Sequence, residues 1–285
     1  LIDYDEICVG EGISFLRRLF GEDPAAPVSH PAIPLDCYRK IMGVEVPNTK
    51  AVLIPGVGCK NKCDFCCTSH FFDGYTPFFK TADELFDVMR HSEKALGLRE
   101  FFVMDENFLD DPSRIQRLLE LMTQHGKRYV FDIFSSLKAV AQYDPITLFR
   151  LGVQFVWIGI ESRKSIYSKT AGIDAAKVIQ GLRDVGISVL ASSILFLDHH
   201  DERTLWEDVD YTISLEPDFI QFMELAPLPG TELFRTMARD HRLLQETPYR
   251  EWHGQDRIWF RHPHFSRDQS KKILDAAFAR EFQQL

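Results

Sequence analysis

Short continuous runs of apolar residues alternate along the chain with stretches in which apolar residues recur every three or four positions. Six apolar runs predict strands at 51–55, 101–104, near 129–134, 155–160, 187–197 and 219–224. The intervening stretches predict helices, one of them opened by the capping box between Thr81 and Glu84 and another beginning at Pro112. Near-continuous apolar strands that alternate with helices indicate a parallel sheet covered by helices.

The number of these units sets the fold class. Six strand–helix units are too few for an eight-stranded barrel, so the sequence predicts an α/β fold, a partial (β/α)6 TIM-like barrel. We expect four parts: an N-terminal strand and helix at 1–22, a proline-rich linker at 23–50, the partial barrel at 51–240 and a C-terminal extension at 241–285. The extension ends in a predicted helix at 268–283. Its aromatic and histidine residues either cover the mouth of the barrel or pack as an apolar face.

A loop directly after the first predicted strand carries three closely spaced cysteines. Cys59, Cys63 and Cys66 follow the pattern C-x3-C-x2-C. Fe–S clusters are normally held by four cysteines, and no fourth cysteine lies at a natural spacing here. Three thiolates would leave one iron free to bind a substrate or cofactor. The alternative is a zinc knuckle or half zinc site, for which His70 is near enough to be tested as a ligand.

This loop, with Phe65 directly before the third cysteine, resembles the signature of the radical SAM superfamily. The resemblance implies an enzyme with a [4Fe–4S] cluster on Cys59, Cys63 and Cys66, whose fourth iron binds S-adenosyl-L-methionine. One-electron reduction would then cleave this cofactor to a 5′-deoxyadenosyl radical, which takes hydrogen from a substrate carbon. It also implies a small-molecule substrate and an electron donor such as flavodoxin or ferredoxin.

Polar residues at the ends of the later strands are the candidate cofactor ligands, because ligands bind at the carboxyl ends of parallel strands. The stretch Met104–Phe108 is similar to one found in cobalamin-type radical SAM enzymes, and Gly159–Ser162 is similar to a Gly-Ile-Glu-Ser run shared by many members. The resemblance implies that acidic and amide groups bind the methionyl and ribose parts of the cofactor. The candidates are Asp105, Glu106, Asn107, Glu161 and Ser162, with Ser192 and Ser193 from the fifth strand and Phe65 from the cysteine loop. Helix capping or backbone hydrogen bonding would explain the same residues without a ligand.

Two further stretches resemble the cobalamin-type subfamily. Ala226–Leu233 is similar to the Pro-Gly-Thr turn of cobalamin-type and methylthiotransferase-type members. Residues 1–22 resemble the closing segment of the cobalamin-binding domain that precedes the radical SAM domain, so the chain resembles a radical SAM domain with only the tail of a cobalamin domain. The implied reaction is cobalamin-dependent C-methylation by a methyltransferase.

Several alternatives stay open. One is a radical SAM enzyme that performs ring closure or carbon–carbon bond formation, with or without cobalamin. A non-enzymatic alternative is an Fe–S electron carrier or a zinc module. Methylthio transfer is disfavoured because the cysteines for a second cluster are missing. The loop at His199 and His200 lacks the glycines and proline found in relatives, and we interpret it as a solvated loop in preference to a metal site.

Charge and composition limit the binding partners and the cellular compartment that we expect. Asp and Glu number 42 against 33 Lys and Arg, which gives a net charge of −9 and disfavours a nucleic-acid partner. No apolar run approaches the roughly 20 residues of a transmembrane helix, and no signal peptide is visible. An oxygen-sensitive cluster requires a reducing compartment, so we expect a cytoplasmic protein. The chain begins at Leu1, without methionine, and we expect it to be a piece of a longer protein.

Overall fold

A computed structural model describes residues 5–35, 39–41, 44–46, 50–164 and 167–282. Parts of the expected N-terminal strand and of the 23–50 linker therefore lie outside the described residues. The strands are β1 (Ile33–Pro34), β2 (Arg39–Ile41), β3 (Val44–Val46), β4 (Lys50–Leu53), β5 (Gly56–Gly58), β6 (Tyr75–Pro77), β7 (Glu100–Val103), β8 (Val130–Ser136), β9 (Val153–Glu161), β10 (Ser188–Leu195) and β11 (Phe219–Glu224).

Most helices lie where the sequence predicts them, whereas the short helices at Cys67–Phe71 and Leu137–Val140 were not predicted. They are α1 (Gly12–Leu19), α2 (Cys67–Phe71), α3 (Ala82–Leu96), α4 (Pro112–Gln124), α5 (Leu137–Val140), α6 (Pro145–Leu151), α7 (Ala175–Asp184), α8 (Glu202–Ser214), α9 (Glu232–Arg239) and α10 (Arg267–Phe282). The predicted capping box is confirmed: the Thr81 hydroxyl accepts from the Glu84 N–H at 3.1 Å, and the Glu84 carboxylate accepts from the Thr81 N–H at 3.3 Å. Local sequence therefore sets where these helices begin.

One large sheet organises the molecule, with the strand order β1-β4-β7-β8-β9-β10-β11. From β4 onward each neighbouring pair runs parallel. β1 pairs antiparallel with β4 and forms one edge, while β11 forms the other, so the described strands do not close into a barrel. The expected α/β partial barrel with six parallel strands is confirmed.

A small hairpin that the sequence analysis did not predict frames the cysteine loop. β5 pairs antiparallel with β6, Gly58 lying opposite Tyr75. Gly58 has a φ of +87°, and a Cβ there would lie 1.8 Å from the carbonyl oxygen of Gly74. Only glycine fits at that crossing, so the hairpin fixes where the three cysteines begin.

Two apolar clusters support the sheet. The first packs the side chains of β4 and β7–β10 against helices α3, α4, α6 and α7, with Phe101, Phe131 and Leu118 fully buried. The second joins β10 and β11 to α8, α9 and α10. Phe260 and Phe265 belong to this second cluster, and Trp259 stacks on Trp252 with ring centroids 4.4 Å apart. The C-terminal aromatic residues therefore pack as an extension of the core.

The N-terminal segment differs from the prediction. Residues 5–9 form no strand, and Ile7 and Val9 are exposed. A strand requires a partner for its backbone hydrogen bonds, and the described residues offer none to this segment. Helix α1 forms as predicted but has no buried residue. In the described part of the chain, no helix combines the length and apolar character that crossing a membrane would require.

Candidate cluster and cofactor site

A cavity of about 370 Å³ lies at the carboxyl ends of the parallel strands, next to the cysteine loop. Seven of the residues singled out from the sequence line it: Cys59, Cys63, Phe65, Cys66, Glu106, Glu161 and Ser192. Loops after different strands meet at this edge, because parallel strands all point their carboxyl ends the same way. The fold thus brings the three thiols together with carboxylates from two separate strand ends.

The three thiols lie in partly desolvated surroundings. Burial raises the pKa of Cys63 to about 11, although the positive charge of Lys169 opposes the change. Burial also raises the pKa of Cys59, and the neighbouring Cys66 thiol adds to the effect. Adjacent desolvated thiols are stable as thiolates only when a cation compensates them. This donor set therefore fits a metal cluster.

The spacing of the sulfur atoms argues against zinc. Sulfur ligands around tetrahedral zinc lie roughly 3.8 Å apart, given a Zn–S distance of about 2.3 Å. Among the described residues, only His199, His200 and Asp208 bring three ligand atoms within 4.8 Å of one another. At least one pair of the loop thiols therefore lies more than 4.8 Å apart, which is wider than tetrahedral zinc requires. The Nε2 atom of His70 lies 3.2 Å from the Cys63 carbonyl oxygen, so the ring is directed to the backbone.

Glu161 ends β9 in an unusual backbone conformation. Its φ is +64°, in the left-handed region that non-glycine residues rarely occupy. Its carboxylate forms an ion pair with Lys169, and both side chains are largely buried. A Cβ at Gly159 would lie 2.3 Å from the Glu161 Oε1 atom. Glycine in the Gly-Ile-Glu-Ser run therefore makes room for the carboxylate.

Lys169 is a site residue that the sequence analysis missed. Burial disfavours its charged form, but the Glu161 carboxylate and Cys63 raise its pKa above the usual value. Its ammonium lies 5.5 Å from the centre of the Phe65 ring, and Tyr167 meets the same ring edge-on at 5.0 Å. Lys169 follows Glu161 by eight residues in a loop without regular structure, where no periodicity indicates its direction. Its cationic side chain was a signal, but eight residues beyond the strand end it gave no direction.

Glu106 supplies the second carboxylate of the cavity. Its surroundings desolvate the carboxyl group and raise its pKa, although a hydrogen bond with Thr68 acts in the opposite direction. Glu106 and Cys59 line the same cavity, and the negative charge of Glu106 in turn raises the pKa of Cys59. Lys169 is the cation that acts on both Glu106 and the thiols.

Asp105 and Asn107 serve the framework around the cavity. The Asp105 carboxylate accepts from the Tyr75 hydroxyl at 2.8 Å and from Arg114 at 3.2 Å. Asn107 accepts from the Ser135 hydroxyl at 3.0 Å. Both residues line a second cavity of about 560 Å³, which shares Cys59 with the first. Their expected contact with a cofactor stays a prediction.

Ser162 and Ser193 also lie beside the cavity without lining it. The Ser193 hydroxyl is fully buried and donates to the Glu161 carbonyl at 3.0 Å. The Ser162 hydroxyl accepts from the Lys164 N–H at 3.2 Å and lies 3.5 Å from the His199 ring. Both hydroxyls therefore hold the turn that carries Glu161, and direct binding of a cofactor by either one stays a prediction.

Apolar and amide side chains complete the inner wall of the cavity. Phe134 and Trp157 contact each other with ring centroids 5.2 Å apart, and Gln221 and Met223 line the cavity from β11. Sequence analysis did not name them. Strand parity was the signal, because Trp157 and Gly159 project to the same face as Glu161.

The loop at His199 and His200 is only partly solvated: Asp198 is exposed and His199 is half-buried. His200 is fully buried, and its Nε2 atom lies 2.9 Å from the Asp208 carboxylate. Its Nδ1 atom accepts from the Leu197 N–H at 3.1 Å. Both ring nitrogens therefore have protein partners in this structure. The expectation of a solvated loop is wrong for His200, which is buried in a hydrogen-bond network with Asp208 and the Leu197 N–H.

The partial barrel and the loop of three thiols define a cluster-binding α/β protein with an open site at the strand ends. Residues 53–212 match the family described as the Radical SAM superfamily, which is more than half of the chain. The chain therefore belongs to the radical SAM superfamily.

Individual proteins that resemble this chain do so at low sequence identity. A protein of Pyrococcus horikoshii, named an uncharacterized methyltransferase, is 23% identical over 258 residues, covering 88% of this chain and 54% of the relative. The structure of the radical S-adenosylmethionine methyltransferase TsrM from Kitasatospora setae, with cobalamin and a [4Fe-4S] cluster bound, has a TM-score of 0.57 at 16% identity. That comparison covers 66% of this chain and 39% of TsrM. A second TsrM structure, with tryptophan substrate and an S-adenosylmethionine analogue bound, matches with the same TM-score. The chain thus spans about half the length of the curated relative.

Proposed function

We propose that this chain holds a [4Fe–4S] cluster on Cys59, Cys63 and Cys66 and binds S-adenosyl-L-methionine beside it. The observation that carries the proposal is that the three thiols share one cavity with the buried Glu161–Lys169 pair. Three cysteines leave one iron of such a cluster without a protein ligand. The charged pair lies on the wall of the same cavity.

The side chains of the cavity suit the charges of this cofactor. The Lys169 ammonium complements the methionyl carboxylate, while the carboxylates of Glu161 and Glu106 can accept hydrogen bonds from its amino group. Ser192 offers a hydroxyl to the ribose. Phe134, Trp157 and Met223 exclude water from the inner wall, which protects a reactive species.

The cluster and cofactor, when bound, supply one-electron cleavage of the sulfonium and radical abstraction of hydrogen. We propose no residue of the cavity as a general base. The protein's own contribution is to bind, orient and shield the cofactor.

We further propose that the complete protein is a cobalamin-dependent C-methyltransferase. The support is the name of the Pyrococcus horikoshii relative and the cobalamin bound by TsrM. No role in binding cobalamin is proposed for any of the described cavity residues. The substrate would be a small molecule, the electron donor a flavodoxin or ferredoxin, and the setting the cytoplasm.

The test begins with anaerobic purification of the full-length protein and a count of its iron and cobalt. We expect about four irons per chain, an equimolar amount of cobalt, and release of 5′-deoxyadenosine when S-adenosyl-L-methionine and a reductant are added. Iron without cobalt, in protein offered cobalamin, would remove the methylation proposal and leave radical chemistry. Zinc in place of iron would overturn both.

Two adjacent cysteines provide a matched test of the cluster ligands. Cys66→Ser should lower the iron content and the visible absorption of the cluster, because it removes one of three thiolate ligands. Cys67→Ser is the control and should retain the iron, since neighbouring residues rarely ligate one cluster equivalently. Equal iron loss in both variants would contradict the assignment of Cys66.

A further inference from the structure

The turn Glu161–Arg163 is held from two sides by buried groups. On one side the Ser193 hydroxyl of β10 donates to the Glu161 carbonyl at 3.0 Å. On the other side the Arg163 N–H donates to the Asp208 carboxylate of α8 at 3.1 Å. The φ of +64° at Glu161 is costly for a residue with a side chain and persists only when its surroundings enforce it.

The Asp208 carboxylate is itself fixed by His200. The His200 Nδ1 atom accepts a backbone N–H, so the ring proton of the neutral imidazole is on Nε2 and is donated to Asp208. Burial alone would raise the pKa of Asp208, but hydrogen bonds from His200, Ser162 and the Arg163 N–H lower it. Asp208 therefore accepts hydrogen bonds as a carboxylate in the interior.

We propose that Asp208 and His200 are positioning residues for the S-adenosyl-L-methionine site, holding the Glu161–Arg163 turn so that the Glu161 carboxylate faces the cavity and Lys169. This inference rests on the proposed function of the cavity. Neither Asp208 nor His200 lines the cavity, so both act through the turn.

The variant Asp208→Asn tests the inference with little change in volume. The amide NH₂ group faces the His200 Nε2–H, so that bond is lost. The amide oxygen still faces the Arg163 N–H, but a neutral oxygen accepts more weakly than a carboxylate. We expect faster hydrogen exchange at the Arg163 amide. We also expect about tenfold weaker binding of S-adenosyl-L-methionine to the anaerobically reconstituted full-length protein, measured by equilibrium dialysis. The iron content should match that of the wild type, because the cysteines lie on a different segment.

Thr212→Val is the matched control. Thr212 is buried on the same helix, and its hydroxyl donates to the Asp208 carbonyl at 2.9 Å without facing the turn. Its loss should lower thermal stability and leave cofactor affinity unchanged. Equal loss of affinity in both variants would overturn the inference, since general destabilisation would then explain it. Wild-type affinity in Asp208→Asn despite faster exchange at Arg163 would overturn it too.

A second variant applies if Asp208→Asn does not fold. Ser193→Ala removes the hydroxyl that holds the Glu161 carbonyl from β10, and it should weaken cofactor binding in the same direction with normal iron content. Wild-type affinity for S-adenosyl-L-methionine in that variant would count against the proposal that the Glu161–Arg163 turn must be held in place for cofactor binding. A failure of the proposed function would look different: wild-type protein with its full iron content would not bind S-adenosyl-L-methionine at all.

Discussion

At the scale of single residues, the Glu161–Lys169 ion pair controls the charge inside the cavity. Glu161 is 5% exposed, and its strained backbone places the carboxylate against the lysine. A buried charge without a partner is strongly destabilising. Each member of the pair therefore depends on the other.

Lys169→Met should weaken binding of S-adenosyl-L-methionine by at least about tenfold, because a cation facing the methionyl carboxylate is lost. It should also lower the free energy of unfolding by about 3 kcal/mol, since Glu161 remains buried without its partner. Equilibrium dialysis and denaturant unfolding measure the two effects. Lys164→Met, at an exposed lysine of the same loop, is the control and should change neither. Unchanged affinity in Lys169→Met would remove Lys169 from the cofactor site.

Gly159→Ala tests the close approach beneath Glu161. The added Cβ would lie 2.3 Å from the Glu161 Oε1 atom and 3.1 Å from the Lys169 Nζ atom, so the pair must shift. We expect weaker cofactor binding with iron content unchanged, measured on reconstituted protein. The control is Gly12→Ala in α1, where the added Cβ meets nothing within 4 Å. Equal affinity in both variants would show that the pair tolerates displacement.

The residue scale is also where sequence reasoning was least complete. The cysteines could be named because their spacing is local and their chemistry specific. Lys169 could not, because it reaches the cavity from an irregular loop across the sheet edge. Asp105 was named for its position at a strand end and Ser193 as a hydroxyl within an apolar strand, yet their hydrogen bonds are directed to Tyr75 and Glu161. Position along the chain predicts which strand end a residue occupies, but packing determines which way it points.

At the scale of elements, strands and helices followed the sequence closely because continuous apolar runs and caps are local signals. β11 has the bounds that its apolar run predicts, and α4 begins at Pro112 as expected. The β5–β6 hairpin was missed because each strand has three residues and the cysteine loop separates them. Neither strand is long enough to show a detectable alternation of apolar and polar residues.

The packing of α10 on β11 buries an unpaired carboxyl group. Glu224 is 2% exposed, and neither carboxylate oxygen has a hydrogen-bond partner among the described residues. Ser270 lies near, but its hydroxyl already donates to the Arg267 carbonyl at 2.9 Å and accepts from the Ile258 N–H at 2.9 Å. Burial raises the pKa of Glu224 to about 7. The protonated form therefore suits this site better than the carboxylate.

This raised pKa predicts a pH-dependent stability. The contribution of Glu224 is fully present below its unfolded pKa, near 4.5, and is lost as the pH rises through about 7. The Glu224→Gln variant cannot ionise at this position. Its free energy of unfolding minus that of the wild type should therefore be up to about 3 kcal/mol larger at pH 8 than at pH 4. Thermal unfolding across this range measures the effect. A constant difference between the two proteins at every pH would contradict the prediction.

At the scale of the whole molecule, stability is unevenly distributed. The two apolar clusters bury the sheet and the C-terminal helix, whereas α1 buries no residue. Leu16 and Leu19 of α1 are each about half exposed. The described fold from β4 onward therefore gains little from the N-terminal segment.

A pair of substitutions measures this difference. Leu16→Ser with Leu19→Ser should change the free energy of unfolding of this chain by no more than about 0.5 kcal/mol per site, as is usual at exposed positions. Leu274→Ala in α10, where the leucine is 2% exposed, should cost about 3 kcal/mol. Denaturant unfolding of both proteins gives the comparison. A large loss in the α1 variant would show that α1 supports the barrel.

The antiparallel strand β1 has a consequence for how the domain can be isolated. Ile33 and Pro34 cover the outer side of β4, and the Leu35 N–H donates to the Lys50 carbonyl at 2.9 Å. Proline has no N–H to offer a further strand, so this edge resists pairing between molecules. A fragment that begins at residue 51 would expose the apolar edge of β4 and invite aggregation. Fragments for crystallisation should therefore begin before Ile33.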